Sequence, residues 1–178
     1  MNRLLTGSIM AVALLFSGAT VQAEEAPILR DGVSACDLHE LMSEKLPEQC
    51  QSKLGGTRSM SKATRSLTRS VNLMVLFEHD SAELGEGARE LLDAVGAFLA
   101  DGVNTDQKFQ IVGHTNSLGT DSYNQGLSQR RATAVVSYLT GKSVSVERLE
   151  SEGKGETSPL GAYATDDPRQ RRVELKKL

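Results

Sequence analysis

Apolar residues recur at three- and four-residue spacing over two long stretches of the chain, with short apolar runs between them. In the first, Leu84, Ala88, Leu91, Leu92, Val95, Phe98 and Leu99 mark an amphipathic helix reaching about Ala100. In the second, Leu127, Ala132, Val135, Val136 and Leu139 form the apolar side of a helix over 123–139. Gly141 is expected to close that helix in the left-handed conformation glycine tolerates. The runs at 71–77 (VNLMVLF) and 109–112 (FQIV) have strand length, and 149–156 and 171–175 read as later strands. Upstream, Leu38, Leu41, Met42 and Leu46 give a shorter helix over 34–46, stopped by Pro47. From residue 71 onward the order is β-α-β-α-β-β. It predicts an α+β sandwich with two helices on one face of a small mixed sheet.

The N-terminus has a different character. Arg3 precedes an apolar run, Ile9–Phe16, and then small residues ending at Ala23. A basic start, a short apolar middle and a small-residue boundary describe an export signal over 1–23, with the acidic pair Glu24-Glu25 beginning the mature chain. No cysteine follows the apolar run, which argues against a lipid-anchored form, and no apolar stretch reaches the 18 residues a membrane-spanning helix needs. Export makes the two cysteines, Cys36 and Cys50, read as a disulfide. A metal pair with His39 would lack a second half-site, so no metal or cofactor is expected. The division predicted is 1–23 signal, 24–69 helical segment with a basic linker, and 70–178 folded domain.

Net charge is −3 over 178 residues, with 39% hydrophobic and 4% aromatic. That balance fits a modest globular domain and argues against a general nucleic-acid binder, which would carry a basic face. The basic residues Lys53, Arg58, Lys62, Arg65 and Arg69 form an acid-free stretch between the two parts. It reads either as a solvated linker or as an electrostatic contact with a phosphate-bearing polymer or acidic partner.

The block from Ile111 to Leu139 carries the candidate chemistry. A strand ends at Gly113, a polar loop follows, and the helix begins near Asp121, a plausible N-cap. Asn124 and Arg131 are seven apart and share one helix face, roughly 10 Å from each other. A guanidinium among core-forming neighbours offers a fork to a carboxylate, and the helix N-terminus favours anions. These parts imply a small, polar, carboxylate-bearing ligand. Catalysis has little support. Glu78, His79 and Asp80 are consecutive and point to different sides, His114 stands apart from them, and there is no nucleophile elbow or free cysteine. Gly153-x-Gly155 reads as a strand-end turn rather than a phosphate loop.

The same block resembles the signature of the OmpA-like C-terminal domain family, which includes peptidoglycan-associated lipoproteins and the periplasmic part of flagellar stators. The residues that carry the likeness are Gly113-His114-Thr115-Asn116, Tyr123-Asn124, Leu127-Ser128-Gln129-Arg130-Arg131-Ala132, Val135 and Leu139. The flanks, 77–84 (FEHDSAEL), Gly153-Lys154-Gly155-Glu156 with Pro159, and Arg171-Arg172-Val173, are similar too. The resemblance covers about 70–178. It implies non-covalent, non-enzymatic binding of peptidoglycan through diaminopimelate in the periplasm of a Gram-negative bacterium, with outer-membrane or other envelope proteins as further partners. With 46 residues, 24–69, ahead of the domain in the expected mature chain, no membrane barrel of the chain's own is expected. In that family mode Arg131 grips the ligand carboxylate, Asn124 supports it by hydrogen bonds, and Arg171 lines the same pocket. Where the pattern has an Asp that pairs with the ligand's ammonium, this chain has Asn116. Losing that charge weakens binding by about 2- to 30-fold, with Asp121 or Glu78 as replacement carboxylates. Before the terminal Arg pair, Gln170 replaces Asn. The alternative is an envelope protein-interaction module that keeps the fold and has lost wall binding.

Overall fold

A computed structural model describes residues 25–51, 67–78 and 80–178. The expected export signal, the basic residues Lys53, Arg58, Lys62 and Arg65, and His79 lie outside the described residues; Arg69 is described and exposed.

Among the described residues the α-helices and strands follow in the order β1 (Ile28–Leu29), α1 (Ala35–Met42), α2 (Glu48–Gln51), β2 (Ser70–Leu73), α3 (Glu86–Ala100), β3 (Phe109–Gly113), α4 (Asp121–Gly141), β4 (Leu149–Gly153) and β5 (Val173–Lys177). The five strands form one sheet in the order β1-β2-β5-β3-β4. β5, the last strand in sequence, is central and runs antiparallel to both β2 and β3. The outer pairs, β1 with β2 and β3 with β4, are parallel. The α+β mixed sheet with helices packed on it is the expected architecture.

Alternation along the strands sends Val71, Leu73, Phe109, Ile111, Val173 and Leu175 into one core. There they meet Leu91, Leu92, Val95, Phe98 and Leu99 of α3 and Ala132, Val135 and Leu139 of α4. Phe98 and Phe109 meet edge to face, with ring centroids 5.8 Å apart. Arg148 ties the end of α3 down by donating to the carbonyls of Leu99, Asn104 and Gln107. Leu38 and Met42 of α1 belong to the same core. Ser34 caps α1 in a reciprocal box with Asp37.

Several boundaries differ from the expectation, each for a local reason. The run 71–77 remains a strand only to Leu73. Beyond it Phe77 bridges Leu84 and the amide of Gly85 donates to the carbonyl of Leu76, so the described residues of 76–85 fold back as a loop. Thr120, not Asp121, caps α4, its side chain accepting from the amide of Tyr123. Gly141 lies inside the helix, and the left-handed residue after it is Ser143, φ 69°. β4 ends at Gly153 and β5 starts at Val173, because a 3-10 turn at Pro168–Gln170 precedes it.

Cys36 and Cys50 are disulfide-bonded and join α1 to α2. In the chain-entropy description a loop of this size contributes about 3 kcal/mol. The double substitution Cys36→Ser with Cys50→Ser is therefore expected to lower the unfolding free energy by about that amount. A denaturant melt checks it; an unchanged midpoint would show that the docked α1 needs no covalent tie.

Candidate functional site

The buried side of α4 changes chemistry along its length. Its C-terminal half presents Ala132, Val135 and Leu139, while its N-terminal half presents Asn124, Ser128 and Arg131. These polar residues face the β3 end, the 76–85 loop and the turn after β4.

Arg131 is 7% exposed. Its Nε donates to the carbonyl of Ser81 at 2.9 Å, and its guanidinium lies 4.8 Å from the centroid of the Phe77 ring. Among the described residues it has no carboxylate within salt-bridge distance, and its two Nη groups make no hydrogen bond. Burial, then the charge of Arg171, push its pKa down from the usual guanidinium value, while Tyr123 and Asp80 oppose the shift. Asp80 adopts the left-handed conformation (φ 55°), which a short polar side chain tolerates, and accepts a hydrogen bond from the Tyr123 hydroxyl. That bond is the main cause of a raised Tyr123 pKa.

Asn124 is 2% exposed and acts as a tie. Its Nδ2 faces three acceptors: the carbonyls of Asn116 and Leu118, each at 3.2 Å, and Glu156 Oε2. Asn116, 5% exposed, donates from Nδ2 to the carbonyl of Asp166 at 3.0 Å. The 160–166 loop that supplies this carbonyl is held from below by Gln170. Its Oε1 accepts from the Leu160 amide at 2.7 Å, and its Nε2 faces the carbonyls of Leu160, Tyr163 and Ala164. Gln170 therefore fixes the partner of Asn116.

The terminal Arg pair divides. Arg171 is exposed, and its charge is felt at Arg131. Arg172 is buried and structural, donating from Nε to Asn72 Oδ1 at 2.7 Å and from Nη2 to the Ser158 carbonyl at 3.0 Å. His114 is also buried, its Nε2 3.5 Å from Glu174 Oε2. Burial lowers the His114 pKa, and His114 in turn helps hold the Glu174 carboxyl below its usual value. It is engaged with Glu174 of β5.

The structure thus links Arg131 to Arg171 by charge, and Asn116 to Asn124 by a hydrogen bond. The carboxylates that engage side chains of this region are Asp80, at the Tyr123 hydroxyl, and Glu156, at Asn124. Sequence reasoning also missed Phe77 as a platform and Ser81 as an acceptor. Phe77 reads as the end of a strand, and no side-chain pattern announces a backbone carbonyl. A cleft lined by Met42, Leu67, Arg69, Lys177 and Leu178 lies elsewhere and contains none of these residues.

Residues 76–172, more than half of the chain, match the OmpA family. Outer membrane protein A of Escherichia fergusonii is 35% identical over 97 residues, covering 54% of this chain and 40% of that protein. The chain thus spans well under two thirds of that relative's length. Among solved structures, the OmpA-like domain of FopA1 from Francisella tularensis superposes with a TM-score of 0.54 at 26% identity, over 61% of this chain and 70% of the other. The peptidoglycan-associated lipoprotein from Burkholderia pseudomallei gives 0.51 at 28%, over 62% and 91%. The family is one of binding modules rather than enzymes. With the motif block, the flanking strands and the five-stranded sheet in agreement with these matches, the chain belongs to the OmpA family.

Proposed function

We propose that this protein binds peptidoglycan non-covalently in the periplasm of a Gram-negative bacterium and helps anchor the cell envelope, reading the diaminopimelate residue of the stem peptide. The observation that carries the reading is Arg131: a largely buried guanidinium, fixed by Ser81 and Phe77, with no hydrogen bond at either Nη and no carboxylate in salt-bridge distance among the described residues. A buried cation without a counter-ion is costly, and a ligand carboxylate would offset that cost with charge-assisted hydrogen bonds. Arg171 adds a second positive charge, and Asn116 and Asn124 border the loop beside it. The envelope placement is supported by the relatives, which are outer membrane proteins, and by the signal-like segment 1–23. Among the described residues no helix is long and apolar enough to cross a membrane.

Co-sedimentation with isolated diaminopimelate-type sacculi tests the reading. The purified protein is expected to pellet saturably and to be released by free diaminopimelate or by muropeptides. Folded protein that stays in the supernatant at every sacculus concentration would instead favour the protein-interaction reading.

A further inference from the structure

We propose, resting on the wall-binding reading above, that Glu25 and Asn72 are positioning residues, which brace the binding site through Arg172 without touching the ligand. Both lie outside the stretch 76–172 that matches the OmpA family. Strand β1 pairs with β2 over only two residues, yet the chain just before it reaches further. Glu25 Oε1 accepts from the Gly161 amide at 2.6 Å, and the Ala26 carbonyl accepts from Asn72 Nδ2 at 2.9 Å. The Oδ1 of Asn72 accepts in turn from Arg172 Nε at 2.7 Å. The same guanidinium donates from Nη2 to the Ser158 carbonyl at 3.0 Å and from Nη1 to the Gln170 carbonyl at 3.4 Å. The N-terminal segment thus holds the 158–161 turn twice, directly at Gly161 and through Asn72 and Arg172 at Ser158.

Two parts of the site hang from this turn. Gln170 clasps Leu160 at both its amide and its carbonyl, one residue before Gly161. Further along the same loop the Asp166 carbonyl accepts from Asn116 Nδ2, and the Thr165 carbonyl accepts from the Ser117 amide. Arg171 stands between Gln170 and Arg172, both buried and both hydrogen-bonded to that loop, so its backbone goes where they go. The Arg172 carbonyl also accepts from the His114 amide, two residues before Asn116. Asn72 and Arg172 are 2% and 6% exposed, so water does not replace a partner lost between them. Burial pushes the Arg172 pKa down, and the charges of Glu174 and Glu25 oppose the shift. Without Asn72 Oδ1 the guanidinium turns toward another acceptor, which shifts Ser158, Gln170 and with them Arg171. Glu25 is exposed, and its removal loosens the turn without opening the core.

The test reads affinity on folded protein, well below the melting midpoint, by pelleting with sacculi and by calorimetry with the tripeptide L-alanyl-γ-D-glutamyl-diaminopimelate. Asn72→Ala is expected to weaken binding about three- to tenfold, and Glu25→Ala about two- to threefold. Glu25→Gln keeps an acceptor for the Gly161 amide and is expected to bind like the unsubstituted protein. In an Arg171→Ala background the loss from Asn72→Ala should shrink, because the brace acts through a residue already removed. Unchanged affinity in folded Asn72→Ala and Glu25→Ala proteins would overturn the proposal, since a brace serving stability alone moves only the melting midpoint. So would a loss that Glu25→Gln shares, or one that adds in full to that of Arg171→Ala. If Asn72→Ala does not fold, the two Glu25 variants decide; wall binding itself stands in each of these cases. If neither sacculi nor the tripeptide bind the unsubstituted protein, the wall-binding reading falls and takes this inference with it.

Discussion

Arg131→Ala is expected to abolish sacculus pelleting and to lower muropeptide affinity at least about 100-fold, the scale on which losing a buried charged anchor acts. The substitution also bears on stability, because Arg131 donates to Ser81 and stacks on Phe77. Losing one hydrogen bond and one cation–π contact costs about 1–2 kcal/mol, partly offset because a buried unpaired charge disappears with them. A denaturant melt of the variant separates that loss from the loss of binding. Arg131→Lys sharpens the test: it keeps a charge near Phe77 but forfeits both the fork and the Nε bond. Its affinity should therefore fall between wild type and alanine. A folded alanine variant that pellets normally would remove Arg131 from the binding site.

Why was the fold largely legible when parts of the site were not? α3 and the C-terminal half of α4 pack apolar stripes onto a sheet, and a stripe at helical spacing needs no tertiary information to be seen. The N-terminal half of α4 is different. Its inward positions are Asn124, Ser128 and Arg131 beside the single apolar Leu127, so periodicity of hydrophobicity fades where the helix leaves the core and enters the site. Only the spaced motif marked those residues. β1 is two residues long and pairs in parallel with a strand more than forty positions away, which leaves no local signal at all. The run 71–77 misled for a chemical reason. Phe77 is apolar like its neighbours, yet it sits half-buried at the edge of the core with the Arg131 guanidinium over its ring. Gln170 looked like a motif departure, and the carbonyls it gathers become visible only once the 160–166 loop is folded over it.

Gly113→Ala is expected to be the most damaging single methyl group in the domain, lowering stability by about 4 kcal/mol. Gly113 and Gly153 are paired across β3 and β4, and α4 crosses directly above them. A Cβ at Gly113 would lie 2.2 Å from the carbonyl oxygen of Ser128, and one at Gly153 would lie 2.4 Å from the amide nitrogen of Gln129. Both obstacles are backbone, so no side-chain rotamer relieves the clash and the helix itself must lift. Lifting breaks a set of ties specific to this crossing. Gln125 donates to the Gly153 carbonyl, the Gly153 amide donates to Gln129, and the Gly155 amide donates to Ser128 Oγ. Gly102, whose added Cβ meets nothing within 4 Å, is the control, and its alanine variant should change stability by less than about 0.5 kcal/mol. Asn124 and Arg131 flank Ser128 on the same face, so a lifted helix moves the two together. Gly153→Ala protein that still folds should consequently lose sacculus binding at temperatures well below its melting midpoint. If it binds like wild type when folded, the close seating of α4 on the two glycines serves stability alone, and the site tolerates displacement of its helix.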